Sequence, residues 1–150
     1  MELSIAVTAG AACALGAVLP WISAEAVLLS AVLVLPAGWV PLAVAACVTG
    51  QVGGKAGVYW LVRRAPHRLP ARAGRVLARA EVLGARPPLL AAAVFSGSAV
   101  AVPPFYLVTL ASGLARLPFA LFAAAGLLGC ILRYTALVWG AGALGLGGGG

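Results

Sequence analysis

The chain has no aspartate and no asparagine, and Gln51 is its one glutamine. Its acids are Glu2, Glu25 and Glu81, its lysine is Lys55 and its histidine is His67. Charged residues fill 9% of the 150 positions, where a soluble globular domain carries about 25%. So little polar surface cannot cover a water-exposed sphere, and most soluble folds are excluded. Acid–base catalysis lacks the groups to carry it, so an enzyme is not expected. No Walker loop, dinucleotide fingerprint, catalytic triad or zinc motif is present. Cys13, Cys47 and Cys130 lie in apolar segments with neither CxxC nor metal-ligand spacing, and they read as small buried hydrophobes. One histidine builds no metal site, so neither metal nor cofactor is expected.

Apolar residues make up 63% of the chain, which excludes disorder for its bulk. The expected class is an all-α integral membrane protein, with one domain over residues 1–140 and a Gly-rich tail over 141–150. The N-terminus does not read as a cleaved signal: it carries Glu2 and no basic residue, and its apolar run continues past Glu25.

The net charge of +7 is unevenly placed, with seven of nine arginines between Arg63 and Arg86. Membrane-length apolar runs flank this block. The positive-inside rule therefore explains it better than nucleic-acid binding does, and places segment 63–86 in the cytoplasm. Within it, Arg68, Arg72, Arg75, Arg79 and Arg86 recur at helical spacing, with Leu69, Val76, Leu77, Ala80 and Leu83 on another face. That pattern is an amphipathic helix with a cationic stripe. On an inner leaflet each Arg would gain about 1 kcal/mol from anionic lipid.

A spanning helix needs about 20 apolar residues. Val40–Val62 and Leu117–Gly140 meet that, with Trp39, Tyr59, Trp60 and Trp139 as interfacial aromatics. Leu3–Leu35 is long for one span and short for two, and Pro20 breaks it. Ala85–Ala115 is broken by Pro103 and Pro104. Each broken segment reads as a re-entrant hairpin, tolerated in lipid only where it is buried in protein or lines a cavity. The N-terminus falls on opposite sides of the membrane according to whether the first segment spans or re-enters.

The chain thus divides into halves of about 3–62 and 87–140, each a broken hairpin followed by a spanning helix, joined by the basic linker 63–86. Both spanning helices begin at a proline (Pro41, Pro118), continue through a GxxG step (Gly50/Gly53, Gly126/Gly129), then a basic residue (Lys55, Arg133) and a tyrosine (Tyr59, Tyr134). This similarity points to an inverted repeat, the plan of many secondary transporters. Gly50/Gly54, Gly53/Gly57 and Gly126 with Cys130 have small-xxx-small spacing, a helix-packing signal.

Glu25 is the leading functional candidate. A charge at a bilayer centre costs about 2.5–3.5 kcal/mol on the translocon scale, and such residues mark pathways. Desolvation favours the protonated carboxyl, so Glu25 could carry a proton or meet a substrate headgroup; the bland alternative is a hydrated group near an interface. Arg133 is its natural partner, and could pair with Glu25, meet a headgroup phosphate or snorkel outward. Lys55 is expected to snorkel. Ser96-Gly97-Ser98 lacks a base partner and reads as small residues near a helix break.

Leu19-Pro20-Trp21-Ile22-Ser23-Ala24-Glu25 resembles the first motif of the DedA/VTT-domain (SNARE-associated) membrane proteins. Gly50-Gln51-Val52-Gly53-Gly54-Lys55 with Tyr59 resembles their next motif. Val102-Pro103-Pro104-Phe105, Ala111-Ser112-Gly113, Arg116-Leu117-Pro118 and Phe122 resemble the second re-entrant loop and following helix. The likeness covers about Val18–Trp139 and is closest to the short YqaA-like bacterial branch. It implies two opposed re-entrant hairpins, each with a spanning helix, in a multi-pass protein of the bacterial inner membrane. It further implies lipid or polyprenyl-phosphate translocation, proton coupling and a part in membrane homeostasis. Glu25 matches the family's acidic position. The second loop departs, having Ser96-Gly97-Ser98 and Val102-Pro103-Pro104 where many members carry arginine, so Arg116 and Arg133 are the arginines left nearby. The expected function is a flippase-like transporter of lipid, or of a small solute or ion. The alternatives are a non-transporting scaffold or assembly partner, and a membrane-embedded lipid enzyme. Expected partners are membrane lipids, anionic phospholipid or polyprenyl-phosphate among them, and protons. Broken helices need covering, which makes a homo-oligomer reasonable.

Overall fold

The computed structural model describes residues 1–19, 22–64 and 86–145. Helix, one 3-10 turn included, accounts for 86% of them, and no strand occurs among them. The helices are α1 (Glu2–Val18), α2 (Ala24–Val34), α3 (Val40–Arg64), α4 (Pro87–Val100), α5 (Phe105–Leu114) and α6 (Phe119–Ala143), with the 3-10 turn Ala37–Trp39 before α3.

The boundaries have local causes. The Ser23 hydroxyl caps α2 by accepting from the Ala26 amide at 3.2 Å, and Glu25 sits in the first turn, where the helix dipole favours an anion. α2 stops just before Pro36, since the residue ahead of a proline is pushed out of the helical region. α3 ends on Arg63 and Arg64, cations at the negative end of the dipole. α4 begins on prolines, whose missing amides cost nothing in a first turn. It ends at Ala101, which is left-handed (φ 60°), and a cis peptide links Val102 to Pro103 before α5 begins. Arg116 is also left-handed (φ 54°), turning the chain between α5 and α6.

At 1.5 Å per residue the 25-residue α3 and α6 are each about 37 Å long, enough to cross a hydrocarbon core of about 30 Å. Both are also apolar enough to do so, α3 together with its leading turn. The other four helices have 10–17 residues. The expected spans, Val40–Val62 and Leu117–Gly140, agree with α3 and α6 to within three residues at each end.

The chain forms two compact units, Met1–Gly54 with Cys130–Gly150, and Lys55–Gly129. In the first, α1 packs on α2 as a hairpin. Cys13, Leu28, Cys47, Cys130 and Tyr134 are buried there. Gly10 permits close approach of α3: a Cβ at Gly10 would lie 2.8 Å from the Ala46 carbonyl, and one at Gly50 would run into the Gly10 carbonyl. In the second unit α4 packs on α5. Val58, Val62 and Leu110 form an apolar cluster, and Tyr59 stacks on Phe122 at 4.9 Å. Outer positions are apolar as well: Leu3, Val7, Leu33, Leu128 and Trp139 are all exposed. A surface of that kind suits lipid better than water.

Candidate functional site

The short first turn of α2 sets the site in the first unit. Ser23 is its cap and Glu25 its second residue, so the Glu25 side chain starts within the first turn. Glu25 Oε1 lies 2.6 Å from Arg133 Nη2, and Glu25 Oε2 accepts from Ser23 Oγ at 2.7 Å. The two charged side chains are 30% and 28% exposed. Of the alternatives for Arg133, the structure has the pair with Glu25. Tyr134, the next residue, is buried in the same unit, as is Cys13, whose thiol points to the Ala24 carbonyl at 3.8 Å. The Glu25 carboxylate is therefore doubly bonded, and Arg133 has Glu25 as its one partner among the described residues.

Lys55 corrects an expectation. It does not snorkel: it is 5% exposed in the second unit, its ammonium 4.9 Å from the Tyr106 ring centre and 5.7 Å from that of Phe105. The two aromatic faces at the start of α5 contribute to this, since they attract a cation in place of water.

The packing glycines divide. Gly50 meets Gly10, and Gly54 meets Ala14 and Ala17. Gly129 faces Ser98 and the Phe95 carbonyl, and Gly126 is buried on the same helix. Gly53 and Gly57 were expected on a packing face and are not: a Cβ on either would meet nothing within 4 Å. Gly53 is turned about 60° from Gly50 around α3, off the α1 contact.

Pro103 and Pro104 lie in the break between α4 and α5. Ser96 donates to the Val102 carbonyl across that break, and buried Ser98 donates to Phe95 O at 2.9 Å. Ser96 and Gly97 thus tighten the hairpin, a Cβ at Gly97 lying 2.8 Å from Pro103 O, while Ser98 bonds within α4 and to Ala125 O of α6 at 3.4 Å. Pro20 and Arg68, Arg72, Arg75 and Arg79 lie outside the described residues, as does most of the linker.

One contact set was not foreseen. Tyr59, fully buried, donates its hydroxyl to the Leu117 carbonyl, and Arg63 donates to that hydroxyl. Its signal was the i, i+4 spacing of Tyr59 and Arg63, which puts them on one helix face. No group of three or more potential metal ligands occurs among the described residues. Compared with known proteins, the chain matches no family model, no curated protein and no solved structure.

Proposed function

We propose that the chain is a multi-pass membrane protein of the DedA/VTT type that moves a lipid with an anionic headgroup, a phospholipid or a polyprenyl-phosphate, with proton coupling. The observation that carries this reading is the Glu25–Arg133 pair, a half-buried carboxylate and guanidinium 2.6 Å apart in a chain nearly devoid of acids. Charges in a bilayer are expensive and belong to pathways. The helix lengths support the same reading. Two hairpins of short helices each precede one helix long enough to span, the plan of an inverted-repeat transporter.

The pair supplies a coupling mechanism. A guanidinium binds carboxylate and phosphate through the same planar edge. While Glu25 is ionised it occupies that edge. Protonation removes its charge, and Arg133 becomes available to a headgroup phosphate. Loss of the proton restores the ion pair and expels the phosphate. Proton and anionic headgroup therefore bind together and leave together. Under this reading the basic segment 63–86 faces the cytoplasm of a bacterial inner membrane.

The test is reconstitution in liposomes with fluorescent phospholipid and polyprenyl-phosphate reporters, read by outer-leaflet quenching at two pH values. Wild type is expected to flip a reporter faster at the lower pH. Glu25→Gln is expected to insert normally and lose flipping. Full flipping by Glu25→Gln overturns the mechanism. A scaffold is the second reading, favoured by the open Gly53/Gly57 face. It predicts tolerance at Glu25 and a stoichiometric partner on purification.

A further inference from the structure

The C-terminal end of α3 holds its arginines in an unusual way for plain interfacial anchors. Arg63 is half-buried and, among the described residues, its hydrogen bonds run from Nη1 alone, donating to Tyr59 Oη and, at 3.3 Å, to the Leu117 carbonyl. The Tyr59 hydroxyl donates to the same carbonyl, so the phenol is fully engaged and fixes the guanidinium. The guanidinium carbons of Arg63 and Arg64 lie 5.5 and 5.1 Å from the centre of the Trp60 ring. Arg116, the residue before Leu117, is exposed on a left-handed turn.

Three cations therefore gather at one corner of the second unit, and no described carboxylate answers them. Glu2 pairs with the N-terminal amine and Glu25 with Arg133. Arg63 Nε and Nη2 have no acceptor among the described residues. A guanidinium locked through one nitrogen presents the others as a fixed fork, the geometry that takes a phosphate bidentately. Trp60 and Phe119, with ring centres 5.6 Å apart, flank it. An indole such as that of Trp60 settles at headgroup depth in a bilayer.

We infer that Arg63, Arg64 and Arg116 form a binding site for the phosphate of an anionic phospholipid headgroup, separate from Arg133. The inference shares the membrane reading with the proposed function and does not depend on transport.

The test uses the full chain carrying Arg68→Gln, Arg72→Gln, Arg75→Gln and Arg79→Gln, so that the adjacent basic segment does not mask the site. Purified in neutral detergent, it is titrated with short-chain phosphatidylglycerol, short-chain phosphatidylcholine and inorganic phosphate, with bound molecules counted by native mass spectrometry. One phosphatidylglycerol is expected, bound at least about tenfold more tightly than phosphatidylcholine. Arg63→Lys, which keeps the charge and loses the fork, should weaken it about tenfold or more. Arg64→Gln with Arg116→Gln, both at exposed positions, should weaken it severalfold without affecting folding. Equal affinity for both lipids, or unchanged phosphatidylglycerol affinity in both sets of variants, overturns the site. Inorganic phosphate bound as tightly as the lipid, and dependent on Arg63, assigns the corner to a free anion and overturns the lipid source. Glu25→Gln should leave phosphatidylglycerol affinity intact. Failure of the transport mechanism and failure of this site are thereby read separately.

Discussion

Breaking the Glu25–Arg133 pair from each side should have unequal costs. Exposed ion pairs are worth about 0.2–1 kcal/mol, and stranding one partner of a fully buried pair costs about 3–5 kcal/mol. With side chains 30% and 28% exposed, this pair lies between, and its coupling energy should be about 1–2 kcal/mol. Glu25 keeps support when Arg133 is lost, because Ser23 Oγ donates to it at 2.7 Å and it stands in the first turn of α2. Arg133 keeps none among the described residues. Glu25→Gln should therefore destabilise more than Arg133→Gln, and the double variant should recover much of the loss. The assay is a double-mutant cycle on equilibrium unfolding in mixed micelles. A coupling energy below about 0.3 kcal/mol, the level at which independent sites add, would refute the reasoning, as would a larger cost for Arg133→Gln.

Gly50→Ala should cost about 1–3 kcal/mol, because its Cβ has no room against the Gly10 carbonyl. Gly53→Ala, in open space, should be neutral or gain up to about 1 kcal/mol from helix propensity. Equal effects in the same unfolding assay would refute the assigned face. Tyr59→Phe removes a buried donor from Leu117 O and an acceptor from Arg63. It should cost about 1–3 kcal/mol and loosen phosphatidylglycerol binding, and an unchanged midpoint and affinity would refute the role given to Tyr59 in fixing Arg63.

The helix breaks were legible because proline acts locally. Pro41 and Pro118 fix where the long helices begin, and the arginines fix where α3 ends. The ion pair was legible by scarcity: Glu25 is the one acid between Leu3 and Arg79, so few partners competed for Arg133. Registers were not legible. α3 carries two overlapping small-residue stripes, Gly50/Gly54 and Gly53/Gly57, and spacing alone does not say which one α1 will meet. The Tyr59–Arg63–Leu117 contacts were illegible for a different reason. Their acceptor is a backbone carbonyl 58 residues from Tyr59, and every residue has one, so no side-chain pattern marks it.

Lys55 and Arg133 carry the same sequence signature and meet different chemistry. Each long helix runs through a GxxG step to a basic residue, and each basic residue reaches the first turn of a short helix that follows a chain break. Arg133 meets Glu25, the second residue of α2, while Lys55 lies over Phe105 and Tyr106, the first two of α5. The shared spacing along the two long helices is matched by the shared position of their basic residues, and not by their chemistry, because the residues beginning α2 and α5 are unrelated. The difference has a functional consequence under the proposed mechanism. Ring faces hold a cation without taking up a proton, whereas a carboxylate releases its cation when protonated. The Arg133 contact can therefore be switched by protons through Glu25, and the aromatic contacts of Lys55 cannot be switched in that way. One switchable contact fits a cycle that takes up one proton with each anionic headgroup, and under that mechanism the coupling would lie in the unit that holds Glu25.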